Sequence, residues 1–215
     1  LRPDHWVKTR PRGLVVLPIL SGLWLAIGVG ILGALTPGYS HITQFMSALG
    51  ADGAPFAAWT NYAVFIPAEI LLLAFLALLR ASCEDSKATR VALICLFSYA
   101  ALLIAAAVLP CDAGCQSAGE GASNTNAHIA HMAIAATAYP LALIGLVTLG
   151  LSAPKASPLR RVALPAALVG VGLFVAIAVF EDAQGLVQRL LETWIYLHFI
   201  LIGKVAASSV SSPPE

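Results

Sequence analysis

The chain has 215 residues, of which 59% are hydrophobic and 11% charged, and its formal net charge is +1. A water-soluble domain carries about 25% charged residues, so most of this surface meets something other than water. The near-neutral balance, without a dense basic cluster, argues against nucleic acid as a partner. Composition therefore points to an all-α polytopic membrane protein, with bilayer lipid as its main surroundings.

A membrane helix needs about 20 apolar residues. Six segments supply them, at about 14–35, 57–79, 91–109, 127–151, 162–180 and 190–207, with loops too short to fold alone, so one six-helix domain is expected. The first segment follows Arg2, Lys8, Arg10 and Arg12. Its apolar stretch exceeds the roughly 7–15 residues of a signal peptide, so it reads as a retained helix.

The first loop, TPGYSHITQFMSALGADGAPF, is long and mixed in polarity. His41, Gln44 and Ser47 have helical spacing and predict a short helix lying along the interface. Gly50 and Gly53 around Asp52 predict a turn before the second segment. Within that segment Glu69 falls near mid-membrane, where a charge costs about 2.5–3.5 kcal/mol on insertion scales. It is expected to face the bundle interior. Tyr99 in the third segment and His198 in the sixth lie at a comparable depth, and His198 is the first partner expected for Glu69. Such a trio serves either as a buried network fixing helix register or as a proton relay.

The third segment ends in LPCDAGCQ. Cys111 and Cys115, with Gly114 between them to make the turn, suit a disulfide in an oxidising compartment. A metal or redox role for the pair is the alternative. Cys83 and Cys95 read as free thiols. NTNAHIAHM leads into the fourth segment and sets Asn124, His128 and His131 on one helical face. The two histidines are either interfacial hydrogen-bonding groups or ligands of a divalent metal. If the first loop folds over the bundle, His41 joins them, and Asp52 or Asp112 completes a site with an open position. These five residues, His41, Asp52, Asp112, His128 and His131, are the candidate catalytic set. Ahead of the last segment, Arg189 either pairs with Glu181 or Asp182 or binds an anionic headgroup.

Lysine and arginine alternate by loop. The N-terminal stretch, the second loop (Arg80, Lys87, Arg90) and the fourth loop (Lys155, Arg160, Arg161) are basic, while the first and third loops have none. By the positive-inside rule both termini lie in the cytoplasm, and the expected location is a bacterial inner membrane.

Four stretches, YSHITQFMSALGADGAPFAAWTN (Tyr39–Asn61), VLPCDAGC (Val108–Cys115), the His128 region and GLVQRLLETW (Gly185–Trp194), carry a resemblance. Together they are similar to the uncharacterised prokaryotic membrane family catalogued as domain of unknown function 998, whose members look like six-helix proteins. In layout the chain more distantly resembles the Frag/DRAM group, some of whose members act in lipid remodelling. The resemblance implies a lipid-related role and directs attention to Ser47, Asn61 and Arg189 as ligand-binding positions. The functional expectation is a lipid-handling or lipid-modifying protein with an outward-facing polar site. Other readings are a non-enzymatic accessory or sensor subunit with a protein partner or second copy, a proton-coupled transporter using Glu69 and His198, and a haem protein.

Overall fold

The computed structural model describes residues 11–116 and 123–208. The basic residues Arg2, Lys8 and Arg10 and the polar tail beyond Ser208 lie outside them. Six helices are long and apolar enough to cross a membrane: α1 (Gly13–Leu35), α2 (Ile66–Ser82, whose crossing begins at Trp59), α3 (Lys87–Val108), α4 (Asn126–Ser152), α5 (Pro158–Val179) and α6 (Gln184–Ser208, whose crossing begins at Glu181). No strand occurs among the described residues. The all-α reading thus holds. Each helix packs on its neighbours in sequence, and α6 returns to α1 to close the ring.

Local chemistry explains the helix boundaries. Ser86, Thr125 and Ser157 cap α3, α4 and α5 by accepting from backbone N–H groups in the first turn, which satisfies donors the helix itself cannot. A π-helical stretch, Trp59–Phe65, leads into α2. Pro67, just after it, has no N–H to give to the Ala63 carbonyl. That carbonyl instead accepts the Trp24 indole N–H at 2.9 Å, tying α1 to the top of α2.

The α1–α6 seam is tight at one end only. Near the start of α1, Gly203 lets the α6 backbone lie against the Leu14 carbonyl; a Cβ there would sit 1.9 Å from that oxygen. Midway along, the Tyr196 hydroxyl meets Ser21 Oγ at 2.9 Å, and Ser21 donates to the Ala68 carbonyl at 2.7 Å. Alongside and beyond this point an apolar groove lies between the two helices.

The first loop differs from its expected form. Instead of a helix through His41, Gln44 and Ser47, residues 41–44 form a turn and Met46–Gly50 a short 3-10 helix. The reason lies in α6, whose side-chain and backbone groups take the loop's polar groups. Met46 N–H donates to Gln188 Oε1 at 2.8 Å, and Leu186 N–H donates to the Ile42 carbonyl at 2.9 Å. The loop is thereby held as a cap over one end of the ring.

Candidate functional site

Beneath the cap lies a small, partly open chamber of about 70 Å³. Its polar wall is formed by Asn61, Glu69, His131, Tyr139, Gln188 and Glu192, with Met46 and Ser47 of the cap above. Glu192 is the centre of the hydrogen-bonding. Its carboxylate accepts from the Tyr99 hydroxyl at 2.9 Å and from the Tyr139 hydroxyl at 2.8 Å. Gln188 Nε2 donates in turn to the Tyr139 oxygen at 3.2 Å. Gln188, Glu192 and Tyr196 recur every four residues, so one face of α6 carries them all inward.

Glu69 stands apart from this network. It is 3% exposed and lines the chamber, yet its Oε2 has no hydrogen-bond partner. Buried polar atoms are nearly always paired, so an orphan on a cavity wall calls for an explanation. The expected pairing of Glu69 with His198 does not form. His198 Nδ1 lies 2.7 Å from the Trp194 carbonyl of its own helix, and its ring borders a small cavity facing α4 and α5. Tyr99 is at the right depth but serves Glu192. Depth alone placed these groups at one level; it said nothing of which way each helix faces.

Arg189 does not pair with Glu181 or Asp182. Its guanidinium donates to the carbonyls of His41, Gln44 and Gly185 and to the Tyr39 hydroxyl, and it lies 5.7 Å from the Tyr39 ring centroid. All these partners are neutral. Gly185 makes the clamp possible, because a Cβ there would come within 2.1 Å of the Gln44 carbonyl oxygen. Burial raises the Tyr39 phenol, an effect that Arg189 partly offsets, and burial with Arg189 nearby lowers the His41 imidazole.

The three histidines are not gathered. His41 packs against Gly33 of α1 and borders the α1–α6 groove. His128 Nδ1 accepts the Asp112 N–H at 3.2 Å, while His131 Nδ1 lies 2.9 Å from both the Ala106 and Leu109 carbonyls. Asp112 is taken up by Thr125, whose N–H and hydroxyl both donate to it and hold its carboxyl below the usual range. Asp52 is exposed, and its N–H donates to the Cys111 carbonyl at 2.8 Å. The expected metal set of His41, His128 and His131 therefore has no common centre. Among the described residues, the group close enough to share an ion is Cys111, Cys115 and His131, with ligand atoms within 4.8 Å. Cys111 and Cys115 are joined as a disulfide, their Cα atoms 5.1 Å apart, as the sequence led one to expect. In that form neither sulfur offers a thiolate to a metal.

Of the ligand-binding positions, Ser47 and Asn61 both line the chamber, and Asn61 Nδ2 fixes the cap by donating to the Gly50 carbonyl at 2.8 Å. Gln188, Tyr139 and Glu192 escaped the sequence reading. The signal available in the sequence is the four-residue recurrence of Gln188, Glu192 and Tyr196 on α6.

The motif-bearing stretches thus converge on one place, the cap and the α6 face beneath it. The model of a family described as protein of unknown function (DUF998) matches residues 19–204. The chain belongs to this family. Its match covers the whole site, from α1 to the far end of α6. No curated protein and no solved structure matches the chain.

Proposed function

We propose that this family member handles bilayer lipid, drawing the polar end of a lipid sideways from the membrane into the chamber. The observation that carries this reading is the orphan Glu69 carboxyl on a chamber wall with membrane-facing apolar grooves on two sides. One groove, of about 480 Å³, runs between α1 and α6 and shares Leu25, Met46 and Glu192 with the chamber. The other, of about 370 Å³, runs between α4 and α5 and shares Ser47, His131, Tyr139 and Gln188 with it. An apolar cleft ending in a few convergent polar groups is the ordinary form of a small-molecule site. A lipid suits it because Leu23, Leu197 and their neighbours on the α1–α6 groove are exposed in the direction of the bilayer. The alternation of basic loops supports placing the cap and chamber on the outer side of a bacterial cytoplasmic membrane, with cytoplasmic termini. A relay through Glu69 and His198 gains no support, since those side chains face different helices.

The test fills the groove. Gly30 lines it, and a Cβ added there meets nothing within 4 Å, so Gly30→Phe takes up lipid space rather than protein space. Native mass spectrometry of protein extracted gently from its membrane should find lipid retained by the parent chain. The Gly30→Phe variant should retain several-fold less. Equal retention by both, at the level of the surrounding extract, would remove the proposal.

A further inference from the structure

Toward its cap end the α1–α6 groove holds a basic group and, one turn away, acidic ones, with no ion pair between them. At the cap end stands Arg189. Its hydrogen bonds all go to carbonyls and a phenol, and among the described residues no carboxylate pairs with it; the ion pairs found are those of Asp85 with Arg80 and Arg90. A guanidinium left in a largely apolar groove without a counter-ion attracts an anion, phosphate above all, because its planar donors match that geometry. His41 lies beside it on the same groove wall. One turn along α6, Glu192 borders both groove and chamber, and Glu69 waits inside with an unpartnered oxygen. The residues lining the chamber include two carboxyls and no lysine or arginine.

We propose that the α1–α6 groove binds a phospholipid whose headgroup holds both a phosphate and a primary amine, phosphate beside Arg189 and His41, amine at Glu192 and Glu69. This assignment rests on the lipid-handling reading and adds the headgroup class to it. Charge order along the groove sets the order of the two groups. Hydrogen-bonding chemistry sets the amine: Glu69 Oε2 has no donor to accept from, and a primary ammonium carries N–H donors that a trimethylammonium group lacks. The apolar walls at Ile19, Leu23 and Ile200 receive the acyl chains.

The experiment offers the purified chain an equimolar mixture of phosphatidylethanolamine, phosphatidylcholine, phosphatidylglycerol and diacylglycerol in mixed micelles, and reads bound species by native mass spectrometry. Phosphatidylethanolamine should exceed each of the others by about tenfold, equivalent to about 1.4 kcal/mol. Glu69→Gln and Glu192→Gln, which keep shape and remove the ionisable carboxyl, should each bring the ethanolamine-to-choline ratio toward one. The parent chain's own selectivity decides the matter even if a variant fails to fold. Equal binding of ethanolamine and choline lipids, or a preference for phosphatidylglycerol, overturns the headgroup assignment and leaves lipid handling standing. Absence of any bound lipid overturns both. Soluble glycerophosphoethanolamine competing as well as the intact lipid overturns the lipid as the source of the headgroup.

Discussion

Glu192 shows how much a single side chain can organise. Two phenols from α3 and α4 meet on its carboxylate, so three helices are joined at one buried point. Interhelical hydrogen bonds in membranes are worth about 0.6 kcal/mol on average and up to about 1.7. Tyr99→Phe should therefore lower stability by about 0.5–1.5 kcal/mol. Tyr139→Phe should lower it further, since the Tyr139 oxygen also receives Gln188. Glu192→Ala should cost more than either, because it strands two buried hydroxyls at about 1–3 kcal/mol each. Unfolding in a graded detergent mixture ranks the three; a Glu192→Ala variant as stable as Tyr99→Phe would contradict the ordering. At this scale the sequence spoke only in part. Glu69 was legible as an interior carboxyl because its cost in lipid is so large. Its surroundings were not, since His198 lies six residues beyond Glu192 and so on a different side of α6. Arg189 was legible as unusual, but its neutral partners come from a loop about 145 residues earlier in the chain.

The cap is the element in which expectation and structure diverge most. Spacing favoured a helix along the interface, and the interface alone would have allowed one. What overrides it is tertiary: Gln188, Arg189 and Leu186 of α6 and Asn61 at the start of α2 claim the loop's carbonyls and N–H groups. A pH dependence follows. His41 has its pKa lowered from 6.5, by burial first and by Arg189 second. Its contribution to cap stability is thus complete above pH 6.5, declines below that value, and is gone once the pH has fallen through the folded pKa. Amide exchange over residues 39–50, corrected for intrinsic rates, should accelerate between pH 7.5 and pH 5 relative to α3. In a His41→Gln chain that acceleration should vanish; its persistence would assign the effect to another group.

For the molecule as a whole, hydropathy read the six crossings well, and an instructive inversion explains where it faltered. The last crossing has the lowest mean hydropathy, 1.4, and is the most buried at 50%, whereas α5 has 2.6 and is 17% buried. A helix that carries the polar interior must be the least apolar, so the weakest span marks the centre of the site. Orientation is tested by side-specific labelling. Cys83 is buried and its thiol pushed up to about 12, chiefly by that burial, so it contributes little background to maleimide at neutral pH. A Lys87→Cys reporter should react only after the reagent reaches the cytoplasm, and an Asp52→Cys reporter from outside intact cells; the reverse pattern would turn the bundle over. Finally, the contact of Gly203 with the Leu14 carbonyl gives the ring a fulcrum. With α1 and α6 in backbone contact at that end and a groove between them toward the cap, a loosening of the pair would open it like the jaws of a clip. On the lipid-handling proposal, entry at the end nearest the chamber, where the cap sits, would need the least rearrangement of the pair.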